Sequence, residues 1–191
     1  MGLFCCNIRL LPQEASIITD ESGWDLKGCA EITEEELISR LCTARPDMRY
    51  TDDPKADSGR SYLINDGIEL FCETEKDRIQ LVALRVCMSW IDTALSECYA
   101  VASEINAIMP IRYWIENDEG IALRSEKRFV EDHLALIDDK LRIFRRSYPG
   151  LTDVRLLESE LWSYTHKHGK RDSDFHRELE EYYPIVQTSQ R

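Results

Sequence analysis

Apolar residues recur along two stretches of the chain at alternating intervals of four and three residues, which is the period of an amphipathic helix. Pro110 ends the first stretch and Pro149 the second, because proline cannot continue a helix. An earlier helix is predicted to begin at Thr33, whose hydroxyl can cap it, and to end before Pro46. The two apolar stripes are Ile91, Leu95, Cys98, Ala102 and Ile105, and then Val130, Leu134, Ile137, Leu141 and Phe144.

Two groups of shorter segments between these helices carry the alternation and the turn residues of β-strands. Asp66-Gly67 favours a tight hairpin in the first group, because these residue types suit the positive φ angles of such turns. The predicted strands are 61–64, 68–73, 78–86, 111–115 and 121–123. The resulting order, α-βββ-α-ββ-α, favours the α+β class: an antiparallel sheet with helices packed on one face, followed by a helical C-terminal tail.

The pattern divides the chain into three parts. Residues 1–30 hold short apolar pieces broken by glycines and are expected to be an irregular N-terminal segment. Residues 31–148 are expected to form the α+β domain. Residues 149–191 are expected to be a helical extension, since Val154, Leu157 and Leu161 repeat the helical spacing.

The strand 78–86 indicates that both faces of the sheet are covered, because its two sides are both apolar. Alternation places Phe71 and Trp114 on the face opposite the helices. The expected cover for that face is the C-terminal extension, then a second copy of the chain, then a partner protein. The residues predicted to contact a partner are Phe71, Val82, Leu84 and Trp114.

Several segments of this region together resemble a known family. They are 64–68, 78–85, 102–106, 111–115, 118–124 and 129–144. Across residues 32–148 the chain resembles the bacterial YbjN family, whose fold is similar to that of type III secretion chaperones. The resemblance implies a non-enzymatic protein, described for the family as a regulator, that acts through protein contacts.

The composition is that of a globular, acidic protein. A hydrophobic content of 43% is too high for a disordered chain. The 36 acidic and 24 basic residues give a net charge of −12, which argues against a nucleic-acid partner. The longest run without a charged residue, 182–190, is far shorter than the roughly 18 residues of a membrane-spanning helix. No transmembrane segment is therefore predicted.

The cysteine and histidine spacings predict neither a metal nor a cofactor. Seven cysteines occur without a Cys-x-x-Cys motif, and reduced thiols in a cytoplasmic protein are the simplest interpretation. His166, His168 and His176 are the strongest metal candidates, but the lysines and arginine beside them would repel a cation. His133 is expected to be partly buried rather than catalytic, and Asp52-Asp53 to lie in a solvated loop.

The first residues allow a second interpretation, since Gly2 precedes Cys5 and Cys6 as in some doubly acylated N-termini. The myristoylation pattern requires Ser or Thr where this chain has Cys6. An ordinary strand or a frayed start is therefore preferred to lipidation.

The favoured function is a cytoplasmic, cofactor-free, chaperone-like or regulatory domain that holds a partner protein through a sheet or helix face. A homodimer is expected. The first alternative is an acidic immunity-type inhibitor of a basic toxin or enzyme, which predicts a compact acidic patch. The second is an enzyme whose site assembles from distant residues and would need a pocket with converging titratable groups.

Overall fold

The structure is a computed structural model that describes residues 5–20, 23–51, 60–65, 67–115 and 120–147. These ranges contain nine strands and three helices, so the fold is α+β, as predicted. The helices are α1 (Glu34–Ala44), α2 (Ile91–Ile108) and α3 (Glu126–Ser147). The strands are β1 (Cys5–Pro12), β2 (Ser16–Asp20), β3 (Gly23–Lys27), β4 (Arg49–Thr51), β5 (Ser61–Ile64), β6 (Ile68–Glu75), β7 (Arg78–Cys87), β8 (Ile111–Trp114) and β9 (Ile121–Ala122).

Seven strands form one antiparallel sheet in the order β4-β5-β6-β7-β1-β8-β9. The predicted three-stranded meander is present as β5, β6 and β7, and the predicted second hairpin as β8 and β9. Strands β2 and β3 form a separate hairpin. Strand β1, although first in the chain, lies inside the sheet, where it pairs with β7 on one side and β8 on the other.

The expectation of an irregular segment over residues 1–30 is wrong. Residues 5–12 form the inner strand β1, and the β2–β3 hairpin follows it. Ile8 and Leu10 of β1 are fully buried and alternate with Asn7 and Arg9, which is a strand pattern. The pattern covers few residues, and both partner strands lie far along the chain, so local spacing did not reveal it.

Gly28 allows the end of β3 to lie close to the turn that precedes β2. Gly28 has a φ of +88°, in the left-handed region that favours glycine. A Cβ at this position would lie 2.5 Å from the carbonyl oxygen of Glu14. The end of β3 and the turn before β2 can therefore approach this closely only because residue 28 has no side chain.

All three helices pack on one face of the seven-stranded sheet, as predicted. Thr33 caps α1, because its Oγ1 accepts a hydrogen bond from the backbone N–H of Glu36 at 3.2 Å. The predicted stripes of α2 and α3 enter the core, where Leu95, Ile137 and Phe144 are buried. The sheet contributes to this core Cys6, Ile8, Leu10, Ile68, Leu70, Cys72, Val82, Leu84, Val86, Ile111 and Tyr113.

Two of the predicted partner-binding residues belong to this core, which corrects their assignment. Leu84 pairs with Leu70 on β6 and with Ile8 on β1, and all three side chains face the helices. Val82 faces the same way, and neither Val82 nor Leu84 has any exposed surface. A partner therefore cannot contact them in the folded protein.

A β-bulge explains why strict alternation along β7 misleads. Glu73 pairs with Leu81, but the next residue of β6, Thr74, pairs with Ile79, so Gln80 is the additional residue. Ile79 consequently joins the helix-side core, whereas Leu81 packs on the opposite face. Strict alternation along residues 78–86 would place Ile79 and Leu81 on one face.

Some predictions concern residues outside the described ranges. These are the helical extension 149–191, its histidines His166, His168 and His176, the Asp52-Asp53 loop and the Gly2 start. Among the helices that the structure describes, none is both long and apolar enough to cross a membrane.

Candidate functional site

The face of the sheet opposite the helices, here called the second face, carries aromatic and arginine side chains in register. Phe71 on β6 lies opposite Ala83 on β7, which lies opposite Arg9 on β1, which lies opposite Trp114 on β8. The strand pairing thus places Phe71 and Trp114 on this face, as alternation predicts. Both are predicted partner-binding residues, and they stand at the two ends of one row across four strands.

The β2–β3 hairpin packs over one end of the second face. Leu26 and Ala15 form a small core there with Leu11, Leu81 and Trp114. The β2–β3 hairpin therefore covers part of the second face. From the sequence, the C-terminal extension was the first candidate for this cover. The result also accounts for the apolar side chain of Leu81 on β7.

Polar bonds fix the position of the hairpin on the sheet. Arg112 Nη2 donates a hydrogen bond to the carbonyl oxygen of Ala15 at 2.6 Å. The backbone N–H of Gln13 donates to the carbonyl oxygen of Pro110 at 2.9 Å. Both bonds join the chain just before β2 to the region around β8, so the hairpin is held at a defined place.

At its tip the hairpin brings Trp24 to Arg9 and Trp114, and we call these three residues the Trp–Arg cluster. The two indole ring centroids are 4.9 Å apart at an interplanar angle of 73°, an edge-to-face arrangement. The guanidinium carbon of Arg9 lies 4.9 Å from the Trp114 ring centroid and 5.4 Å from that of Trp24. These are cation–π distances. Trp114 is buried, while 41% of the Trp24 surface is exposed.

A second aromatic–arginine pair lies further along the second face. The guanidinium carbon of Arg85 is 4.9 Å from the Phe71 ring centroid. Arg85 Nη1 also lies 3.5 Å from Glu69 Oε2, and Glu69 is directly opposite Arg85 in the strand register. Glu69 is buried, and a buried carboxylate needs a cationic neighbour. Arg85 therefore holds both the Phe71 ring and the Glu69 charge in place.

Sequence reasoning found Trp114 and Phe71 on this face but missed Arg9 and Trp24. Their strands were assigned to the irregular segment, so no face could be given to them. The available signal was the spacing of two residues between Trp24 and Leu26, which places them on one face of a strand, and the alternation of Arg9 with Ile8 and Leu10.

A separate cavity of about 280 Å³ lies at the N-terminus of α3, lined by Tyr113, Arg124, Ser125, Arg128 and residues 120–122. The Tyr113 hydroxyl donates a hydrogen bond to Asp132 Oδ2 at 2.7 Å, and Arg128 Nε lies 3.3 Å from the same oxygen. Burial, followed by the bond to Asp132, raises the pKa of Tyr113 to about 12. Tyr113 is therefore a neutral phenol near pH 7 and supplies a hydrogen-bond donor rather than a base.

His133 lies behind Tyr113 and is fully buried, whereas partial burial was expected. Its ring centroid is 5.4 Å from that of Tyr113 and 4.3 Å from that of Phe129. Its Nδ1 is 2.7 Å from the carbonyl oxygen of Phe129, to which it donates in the neutral tautomer that this contact requires. Burial lowers the pKa of His133 to about 4. A neutral histidine bonded to its own helix is a packing residue.

Comparison with protein-family models, with curated proteins and with solved structures gave no match. The resemblance to the YbjN family therefore stays a prediction. The fold, the Trp–Arg cluster and the Arg85–Phe71 pair are the observations on which a function can be argued.

Proposed function

We propose that this chain is a protein-binding domain, of chaperone-like or regulatory type, that holds a partner protein on the second face of its sheet. The observation that carries the proposal is the exposure of Trp24. This indole leaves 41% of its surface in water although it is held by Trp114 and Arg9. Tryptophan and arginine are the residue types most enriched among the energetically dominant positions of protein interfaces.

The energetic argument concerns the exposed part of the indole. Covering an area on the order of 100 Å² of apolar surface would contribute about 2 kcal/mol to binding. The contact between Trp24 and Trp114 orders the indole before the partner arrives. Little side-chain freedom is then lost on binding, so more of that free energy appears as affinity.

The partner that fits is a protein segment with an apolar side chain that packs on Trp24, on a protein of net positive charge. The apolar side chain follows from the indole itself. The positive charge follows from the net charge of −12 of this chain, which attracts positively charged partners and repels acidic ones over distances of about 10 Å. A partner of this kind suits a chaperone-like role in which the domain keeps an apolar segment from aggregating.

The test compares three forms of the full chain as bait in extracts of the native host: wild type, Trp24→Ala and Tyr50→Ala. Tyr50 is the matched control, because it is also an exposed aromatic but lies on the edge strand β4 against Tyr62. We expect one protein to be retained by wild type and Tyr50→Ala and lost by Trp24→Ala. With that protein purified, the dissociation constant should rise about 10- to 100-fold for Trp24→Ala.

Two other results would contradict the proposal. A partner that binds wild type and Trp24→Ala equally, and whose affinity collapses with added salt, would favour the immunity-type inhibitor. Several acids of the described ranges are paired with arginines, among them Glu104 with Arg45 and Asp92 with Arg145, each at 2.5 Å. Such pairing reduces the acidic patch that the inhibitor alternative requires.

A partner lost equally by Trp24→Ala and Tyr50→Ala would indicate general destabilisation rather than a site.

A further inference from the structure

Two cysteines stand directly opposite each other at one end of the β1–β7 strand pair. Cys5 begins β1 and Cys87 ends β7, and the register of the two strands pairs them. Directly opposed residues of antiparallel strands have Cβ atoms about 4.5–5.5 Å apart, and a disulfide needs about 3.5–4.5 Å. A small approach of the two strands is therefore sufficient to bond the sulfurs.

The two thiols already contact each other. The Cys5 thiol donates a hydrogen bond to the sulfur of Cys87, and Ser89 Oγ lies 3.1 Å from the same sulfur. The backbone N–H groups of Met88 and Ser89 also donate to it, from the 3-10 turn that leads into α2. Hydrogen bonds donated to a sulfur favour its thiolate form.

From this geometry we propose that Cys5 and Cys87 form a peroxide-sensitive thiol pair that closes into a cross-strand disulfide. This inference does not rest on the proposed protein-binding function. The pair connects the first described residue of the chain to β7.

The surroundings of Cys6 and Cys98 favour reaction at Cys87 over reaction at these two thiols. The hydrogen bond from Cys5 lowers the pKa of Cys87, against burial, which raises it. Cys6, the next residue on β1, faces the helices, and burial raises its pKa to about 11. Burial likewise raises the pKa of Cys98 well above its usual range. Because the thiolate is the nucleophile, Cys87 should react before either of these two.

The oxidant in this proposal is a small hydroperoxide, since both thiols are buried and a bulky disulfide reagent would be hindered. The Cys87 thiolate attacks one peroxide oxygen, the O–O bond breaks, and hydroxide leaves with a sulfenic acid on Cys87. The Cys5 thiol then attacks the Cys87 sulfur, the S–O bond breaks, and the thiol proton leaves with the oxygen as water. Two thiols and one hydrogen peroxide give one disulfide and two waters, with the two thiols oxidised and the peroxide reduced.

The disulfide would secure the start of β1 in the sheet. Lys140 of α3 already donates a hydrogen bond to the Cys5 carbonyl oxygen, so this end of β1 is tied to the helix layer. A bond to Cys87 would add a covalent link to the sheet and close a loop through residues 5–87. Loops of this length restrict the unfolded chain strongly, so the melting temperature should rise by about 5 °C or more on oxidation.

The test treats the reduced full chain with hydrogen peroxide, alkylates the remaining thiols, and locates the link by mass spectrometry. Trypsin leaves Cys5 and Cys6 in peptide 1–9 and Cys87 and Cys98 in peptide 86–112. The main experiment therefore uses the Cys6→Ala/Cys98→Ala variant, in which a link between these peptides has one assignment. We expect that link, together with a rise in melting temperature that a dithiol reductant reverses.

Cys5→Ala in the same background is the matched control. It removes the resolving thiol and leaves Cys87, so peroxide should produce a sulfenic acid at Cys87, which a dimedone probe present during unfolding then labels. If the background variant does not fold, fragment ions of wild-type peptides distinguish Cys5 from Cys6 and Cys87 from Cys98. Cys5 and Cys87 both alkylated after peroxide, or Cys5 linked to any other cysteine, would overturn the inference.

Discussion

Arg45 and Glu104 form a two-bond salt bridge that joins the end of α1 to α2. Arg45 Nε lies 2.5 Å from Glu104 Oε2, and Arg45 Nη2 lies 2.9 Å from Glu104 Oε1. Both side chains are partly shielded from solvent, and the guanidinium fork matches the carboxylate. This pair contrasts with Arg142 and Asp139 on α3, whose side chains are mostly exposed.

The first prediction follows from that contrast. Glu104→Gln should lower the free energy of unfolding by about 1–2 kcal/mol, because it removes the carboxylate charge that Arg45 binds with two partly shielded hydrogen bonds. Asp139→Asn should change it by less than about 0.5 kcal/mol, since exposed pairs contribute little. Urea unfolding of both variants measures the difference, and equal effects would show that the α1–α2 bridge contributes no more than a surface pair.

The second prediction uses two isoleucines on α3. Ile137 is buried in the core, whereas 51% of the Ile143 surface is exposed. Ile137→Ala should cost about 2–5 kcal/mol of stability and Ile143→Ala less than about 0.5 kcal/mol. Chemical denaturation of both variants measures the free-energy cost of the same substitution at a buried and at an exposed position of α3. A larger effect at Ile143 would mean that α3 is rotated about its axis.

Helix α3 is also the element that the sequence predicted best. Its stripe of Leu134, Ile137 and Leu141 follows a local period, so the packed side can be read without knowing what it packs against. The inner strand β1 shows the opposite case. Its neighbours β7 and β8 are distant in sequence, and pairing between distant segments leaves no local periodic signal beyond a few alternating residues.

The candidate site was harder to predict than the fold for a related reason. The Trp–Arg cluster takes Arg9 from β1, Trp24 from the hairpin and Trp114 from β8. No interval in the sequence connects these three residues; the strand register and the hairpin's position bring them together. Alternation identified the face of Trp114, and the bulge at Gln80 is the kind of irregularity that a strict period of two cannot anticipate.

The third prediction concerns pH. His133 is neutral in the folded protein because burial lowers its pKa to about 4, while in the unfolded chain its pKa is the ordinary histidine value of 6.5. As the pH falls below that unfolded value, the unfolded state takes up protons first, so stability is lost between about pH 6.5 and pH 4. From about pH 7 to pH 5 the loss due to this residue should be about 2 kcal/mol.

The measurement is the difference between wild type and His133→Leu in urea unfolding at the two pH values. Working above about pH 5 keeps most carboxylates ionised in both states, so their contribution largely cancels between the proteins. The variant should lose about 2 kcal/mol less than wild type over this interval. An identical pH dependence in both proteins would mean that His133 is accessible to protons in the folded state.

The last prediction tests whether the hairpin positions Trp24. Gly28 has a positive φ, and a Cβ there would lie 2.5 Å from the Glu14 carbonyl oxygen, so Gly28→Ala must displace the hairpin from the sheet. The edge-to-face contact between Trp24 and Trp114 should then weaken, and with it the exciton signal of the two coupled indoles in circular dichroism. Trp24→Phe provides the reference spectrum without that coupling.

Gly23→Ala is the matched control, because Gly23 also has a positive φ but its Cβ would meet nothing within 4 Å. If Gly28→Ala loses the exciton signal while Gly23→Ala keeps most of it, the close contact at Gly28, rather than backbone strain alone, sets the position of Trp24. An unchanged signal in Gly28→Ala would show instead that the indole pair holds the hairpin in place without the turn.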